Sequence, residues 1–387
     1  MKKATAIIIG ISCLFGVFAL TCLAAVFGDA DADGSLSAND AAVVLQKVLR
    51  NDYKMPVENT ENDYMHITDV DRDGSLSAAD SAMILQKVLR NDYKMKAEKD
   101  FTVDTKISDV INYPSFGDYG RLLFPVNSGY YSGNTLKNLS LTWYSGINPN
   151  KTVEIVNYLK NKADSGEKIF YDIYTDEEKA ADPRKEDTGL FFFKGNEGAK
   201  FAVCNAGGGF VYVGAMHDSF PHALELSKKG YNAFALIYRP GSQTACEDLA
   251  RAIAFIHENA DEFGVDVSDY SLWGGSAGAR MAAWLGSYGM EYFGEKEYPR
   301  PAAVIMQYTG LSEVTGTEPP TYNCVGTYDG IADYTVMQNR IDRIKQNGTD
   351  AEIEVFDGLS HGFGLGEGTV AYGWLDNAVK FWERQIK

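Results

Sequence analysis

The sequence predicts an α/β protein: a mostly parallel sheet with helices on both faces, preceded by a small all-α unit. Three observations predict it. From about Lys168 onward, apolar strand-like runs alternate with amphipathic helix-like segments, the pattern that sandwiches a parallel sheet between helices. Ahead of them lies a 40-residue period, in which "GSLSANDAAVVLQKVLRNDYKM" (34–55) is nearly repeated by "GSLSAADSAMILQKVLRNDYKM" (74–95). Such a match means one structural unit used twice. Finally, 387 residues with 45% apolar composition suffice for one large core and a small one.

The chain opens with Lys2 and Lys3, an apolar run Ala4–Leu20 and small residues in "CLAA" (22–25). This reads as a cleavable secretory signal over 1–25. The run is short for a spanning helix and no charged stop follows it, so no membrane attachment is expected after cleavage. Losing the two lysines takes the net charge from −17 to −19. With no basic cluster to oppose that charge, nucleic acid and anionic membrane are excluded as partners. Cys13 and Cys22 belong to the leader, leaving Cys204, Cys246 and Cys324. Cys204 and Cys324 lie in apolar runs, which predicts buried, reduced thiols rather than a disulfide scaffold.

The repeat carries its chemistry in two aspartate-rich loops. Asp29, Asp31, Asp33, Ser37 and Asp40 stand at loop positions 1, 3, 5, 9 and 12, and Asp69, Asp71, Asp73, Ser77 and Asp80 match them in the second copy. Gly34 and Gly74 occupy the sharp turn at position 6, and Ser35 and Ser75 offer the position-7 carbonyl. Hard oxygen donors at this spacing wrap Ca²⁺. A helix follows each loop, with Leu45, Val48 and Leu49 on one face of the first. The leader leaves no room for a helix entering the first loop, and position 12 is Asp rather than Glu. A loop followed by one helix, duplicated, with Asp at position 12, resembles a type I dockerin over residues 28–95. The resemblance implies two structural Ca²⁺ ions and, as partner, a cohesin domain of a scaffold protein. It also implies attachment, outside the cell, to a multi-enzyme complex that degrades plant cell walls. Positions 10 and 11 are Ala38–Asn39 and Ala78–Ala79, where many dockerins carry a hydroxyl residue, so cohesin type stays open.

Residues 96–165 read as a linker and an N-terminal extension of the following domain, with the boundary near Asp100. "SFGDYG" and "SGYYSGNT" read as loops. Their tyrosines either pack the extension onto the main domain or line a sugar site.

The large domain spans 166–387. "KIFYDIY", "GLFFFK", "KFAVCNA", "YNAFALIYR", "YSLWGG", "AAVIMQYTG", "TYNCVGTY" and "AEIEVFDG" read as strands. "FPHALELSKKG", "CEDLARAIAFIHENADEFG" and "AGARMAAWLGSYG" read as helices. Between the strand Tyr270–Trp273 and the last of these helices sits "GGSAG" (274–278). The G-x-S-x-G signature places Ser276 on a sharp strand-to-helix turn. A serine hydroxyl needs a base to become a nucleophile. Sheets with this turn supply acid and histidine after the serine. Of the five histidines, only His361, in "GLSHGFG", lies downstream. Asp329, just past a strand end in "CVGTYDGIADY", is the expected acid, with Asp333 its rival. "NAGGGF" (205–210) ends a strand and brings backbone close to substrate. Gly208 and Gly209, with Ala277, are the expected N–H donors to an oxyanion. His217 and His222 follow on a helix, read as surface positions with substrate contact as the alternative.

These motifs, in this order, resemble an α/β-hydrolase esterase over 166–387. The glycine stretch is similar to the CPGGGY or HGGG element of small carbohydrate esterases and lipase-like esterases, with Ala206 in place of Pro or His. The resemblance implies a secreted serine carboxylic-ester hydrolase without a catalytic cofactor. With the dockerin, it implies removal of acetyl or feruloyl groups from acylated plant polysaccharide or oligosaccharide such as xylan. The alternatives are a general carboxylesterase or peptidase of the same fold, or a non-catalytic calcium-dependent binding protein.

Overall fold

The computed structural model describes residues 26–59, 64–71, 75–90, 93, 95, 100–125 and 128–386. The expected leader (1–25) and the expected ligand Asp73 lie outside the described residues.

In the repeat, helices α1 (Ala38–Leu49) and α2 (Ala78–Leu89) start from the same device. The Ser37 hydroxyl accepts from the Asn39 N–H, and the Asp40 carboxylate accepts from the Ser37 N–H at 2.7 Å. Ser77 and Asp80 do the same in the second copy, the latter at 2.8 Å. This reciprocal capping satisfies donors that a helix start leaves unpaired. The two helices pack on each other through fully buried Val44 and Ile84, and Ser81 Oγ donates to the Ala41 carbonyl at 2.7 Å. Small Ala41 and Ser81 let the helices approach closely. That contact turns the Leu45–Val48–Leu49 face outward: Leu49 is 74% exposed and its counterpart Leu89 73%. No described helix is long and apolar enough to cross a membrane.

The large domain is an eight-stranded sheet of β1 (Phe170–Asp172), β2 (Gly189–Phe193), β3 (Ala199–Asn205), β4 (Asn232–Ile237), β5 (Val265–Gly275), β6 (Ala303–Gln307), β7 (Thr321–Gly326) and β8 (Ala351–Phe356). Their spatial order is β1-β2-β4-β3-β5-β6-β7-β8. The β1–β2 and β2–β4 pairs are antiparallel and the remaining pairs are parallel. The central strands are apolar on both faces, as helices on both sides require. Those helices are α3 (Pro149–Asp164), α4 (Phe220–Lys228), α5 (Ser242–Glu258), α6 (Ala277–Tyr288), α7 (Tyr334–Gln346) and α8 (Trp374–Glu383).

The extension is part of this core. Tyr113, Phe116, Leu123, Ile155, Val156 and Leu159 pack in one apolar cluster with strand residues Phe191, Phe193 and Ala202. "SFGDYG" is 3₁₀-helical within Pro114–Leu122 rather than irregular. "SGYYSGNT" contributes Tyr131–Ser132, which pairs with Ser140–Leu141. Cys204, Cys246 and Cys324 are free and buried.

Candidate active site and calcium loops

Strand β5 ends at Gly275 and α6 begins at Ala277, so Ser276 alone makes the turn. Its backbone sits at φ 51°, ψ −115°, a region that costs a non-glycine residue on the order of 1–3 kcal/mol and persists only where its surroundings enforce it. Here the Ser276 N–H is held by the Gln307 carbonyl at 3.0 Å, and the Ser276 carbonyl accepts from the Arg280 N–H at 3.2 Å. The flanking glycines are steric necessities. A Cβ on Gly278 would lie 2.0 Å from the Asn205 carbonyl oxygen, and one on Gly274 would lie 2.3 Å from the Gly278 backbone.

The structure brings Ser276, His361 and Asp329 together from three separate elements. His361, on the loop after β8, has Nε2 3.1 Å from Ser276 Oγ. Its Nδ1 lies 2.8 and 3.0 Å from the two Asp329 carboxylate oxygens. Asp329 follows β7, and its Oδ1 also accepts from the N–H groups of Ile331 and Ala332, both at 2.8 Å. That fixes the carboxylate and leaves Oδ2 aimed at the imidazole. Asp333 instead caps α7, accepting from the Thr335 N–H at 2.8 Å.

The glycine loop after β3 abuts the serine, since a Cβ on Gly207 would lie 2.8 Å from Ser276 Cβ. Gly208 and Gly209 adopt φ +126° and +62°. Among the described residues, no protein acceptor takes the N–H of Gly208, Gly209 or Ala277. All three stay available beside Ser276. Ala277 also opens the twelve-residue α6, whose N-terminal dipole end favours negative charge.

Asp218 is a site residue the sequence did not announce. Its carboxylate is buried and accepts from the Gly207 N–H at 2.7 Å, from the Tyr144 hydroxyl at 2.9 Å, and from the Tyr308 hydroxyl. Tyr308 in turn sets its ring edge-on to His361, with centroids 4.9 Å apart. Burial pushes the Asp218 carboxyl up to about 6, against the pull of these three donors. Burial also pushes the Tyr144 and Tyr308 phenols well above their usual range, so both stay protonated and donate. The extension reaches the site a second time through Ser145, whose N–H donates to the Gly362 carbonyl at 3.2 Å and whose Oγ donates to the His361 carbonyl at 3.0 Å.

His217 and His222 correct the sequence reading: neither is on the surface. They are 6% and 3% exposed, because His217 packs against Tyr144 and the Gly362–Gly364 loop and His222 against Trp374. His217 Nε2 is 2.8 Å from the Gly362 carbonyl, so that nitrogen carries the proton. Burial lowers His217 and takes His222 down to about 3, so both are neutral.

In the repeat, Asp29, Asp31 and Asp40 bring carboxylate oxygens within 4.8 Å of one another, and Asp69, Asp71 and Asp80 do the same. The Asp40 oxygens accept from the N–H groups of Asp31 and Ser37, and Asp29 takes those of Asp33 and Gly34. The loop is thereby wound around the carboxylates. Burial raises the Asp29 carboxyl, and neighbouring Asp40 adds to the rise. Three converging acids with buried members fit a hard cation, which removes that repulsion. Asp33 points to its own serine instead: its Oδ1 accepts from Ser35 N–H and Oγ at 2.8 and 2.7 Å. Ser37 and Ser77 serve as helix caps.

Comparison with known proteins agrees with both halves. Residues 27–89 match the family model of the dockerin type I domain, and residues 193–342 match that of BD-FAE. No curated protein matches the chain. Among solved structures, the propionate-bound esterase Est2 of Thermogutta terrifontis is 21% identical, with a TM-score of 0.47, covering 56% of this chain and 93% of its own. An acetyl ester-xyloside bifunctional hydrolase from Caldicellulosiruptor lactoaceticus is 19% identical, with a TM-score of 0.48, covering 56% of this chain and 95% of its own. By its two family-model matches, with its repeat and its mostly parallel eight-stranded sheet, the chain joins a type I dockerin domain to an α/β-hydrolase-fold domain of the BD-FAE family.

Proposed function

We propose that this is a secreted serine esterase that removes acetyl or feruloyl groups from plant cell-wall polysaccharide such as xylan, held on a scaffold by its dockerin. The observation that carries the proposal is the continuous hydrogen-bonded line from Ser276 Oγ through His361 to Asp329. Ser276 Oγ attacks the acyl carbon while His361 Nε2 takes its proton. Asp329 holds the Nδ1 proton and stabilises the imidazolium. The oxyanion is met by the free N–H groups of Gly208, Gly209 and Ala277. As the tetrahedral adduct collapses, His361 returns the proton to the departing alcohol oxygen. Water then attacks the acyl-serine, His361 takes a proton from it, and the carboxylic acid leaves with Ser276 restored.

The working boundaries are a signal over 1–25, a dockerin over 28–95 and a catalytic unit beyond it. Two Ca²⁺ ions, one per loop, neutralise the carboxylate clusters and set the helix pair that a cohesin domain grips. The exposed Leu49 and Leu89 support a partner on that unit.

The test is acid release from acetylated xylan and from feruloylated arabinoxylan by the intact protein and by Ser276→Ala. The variant is expected to lose activity by about 10⁴-fold or more, as removal of a serine nucleophile does elsewhere. Acetate or ferulate that disappears with the variant names the acyl group. Activity that survives in Ser276→Ala, or an intact protein inert on both substrates and on an aryl acetate, would overturn the proposal.

A further inference from the structure

Residues 142–145 of the extension are clamped to the catalytic loops. The Tyr212 hydroxyl donates to the Thr142 carbonyl, the Tyr144 hydroxyl bonds Asp218, and Ser145 bonds the backbone of His361 and Gly362. In the middle of this clamp Trp143 is held at φ +72°. A bulky residue in the left-handed region is a genuine outlier, and such strain concentrates at functional sites. The strain is not repaid by burial, because Trp143 is 42% exposed.

The indole has a defined place. It stacks on Tyr212, with centroids 5.9 Å apart and planes at 26°, and packs on Tyr130 at 5.4 Å. It also stands directly against the glycine loop, since a Cβ on Gly209 would lie 2.9 Å from its ring. Its polar edge is unused. Trp273, Trp284, Trp374 and Trp382 each donate their indole N–H to a protein acceptor. Trp143, the fifth, donates to none among the described residues. An indole that is 42% exposed, packed on two tyrosines and carrying a free N–H, is thus fixed beside the atoms that would hold the ester carbonyl.

We infer that Trp143 is a specificity-determining residue: a platform on which a ring carried close to the scissile ester stacks, with its N–H free to meet an oxygen of that ring's substituents. The inference rests on the serine-esterase reading above. The shared chemistry is a ring with an apolar face, either the π face of an aromatic acyl group or the C–H face of the pyranose of the alcohol.

The test compares kcat/KM for methyl ferulate (ring in the acyl part), an acetylated xylo-oligosaccharide (ring in the alcohol) and ethyl acetate (no ring). Trp143→Gly suits the backbone, because glycine occupies φ +72° without strain. It removes the ring while the fold is kept, which a thermal melt checks. Trp143→Phe restores a ring face. Trp143→Gly is expected to lower the ratio of ring-bearing to ringless kcat/KM by about 10-fold, mainly through KM, with Trp143→Phe recovering most of it. The arm that falls tells whether acyl or alcohol ring uses the platform. An unchanged ratio, whether all three esters slow equally or none does, overturns the inference and leaves the esterase reading standing. An intact protein inactive on all three esters overturns both.

Discussion

Asp218 joins three parts of the site through one carboxylate: the Gly207 N–H of the glycine loop, Tyr308 beneath His361, and Tyr144 of the extension. Asp218→Asn keeps the shape but replaces an acceptor oxygen with a donor, leaving one of these groups facing an N–H. A buried hydrogen bond lost this way costs about 1–3 kcal/mol. A fall in kcat of roughly 10-fold, with KM little changed, is expected from steady-state kinetics. The titration gives a second handle. The folded carboxyl is raised from 3.8 to about 6, so the folded chain binds the proton more tightly than the unfolded one. The stability this supplies is full below pH 3.8 and is lost as pH rises through about 6. Measured against Asp218→Asn, the wild-type protein should therefore lose relative stability between about pH 4 and 6 in denaturant melts. A difference that stays flat or rises over that window would refute the raised carboxyl. Legibility at this scale divides by how local the signal is. Ser276 lies in a five-residue signature, and His361 is isolated by chain order. Asp218 has no pattern of its own, because its partners Tyr144 and Tyr308 lie 74 and 90 residues away.

At the scale of elements, every predicted strand formed: β2, β4, β6 and β7 are short apolar runs buried throughout, while the edge strands β1 and β8 are buried only in part. Helices α3 and α8 were not read, although α3 carried its own marks. Asn148 caps it, Pro149 opens it, and Thr152, Ile155, Val156, Leu159 and Ala163 trace one buried face. The repeat shows the converse: its apolar spacing was legible, but the outward turn of Leu45 and Leu49 was not. Only the close contact of α1 with α2 decides that. The calcium loops and the helices share residues, since Asp40 and Asp80 both close the cluster and cap the helix. Metal binding and helix formation should therefore be one event. Chelation with EDTA is expected to reduce helical circular dichroism and abolish cohesin capture, while ester hydrolysis changes less than about twofold. Asp40→Ala should reproduce half of that loss even in excess Ca²⁺. Full cohesin capture in EDTA would refute the coupling.

For the whole molecule, the family match at 193–342 is narrower than the body that packs. Residues 101–164 supply part of the core and reach the site through Tyr144 and Ser145. A chain of residues 100–387 should keep the intact protein's melting temperature and hydrolyse an aryl acetate within about twofold of its rate. One starting at residue 166 strips apolar side chains from the core and should be insoluble or inactive. A soluble, fully active 166–387 chain would show the extension to be dispensable.

The clamp at Thr142–Ser145 has a practical consequence for building chimaeras. A designer who wants this catalyst on a different anchor would be drawn to splice at the first recognisable catalytic strand. That cut would discard the hydroxyl that steadies the glycine loop and the serine that tethers the histidine loop. The exchangeable joint is instead the charged run "KAEKD" at 96–100, where the anchor can be swapped while the catalyst keeps every residue that touches its working loops.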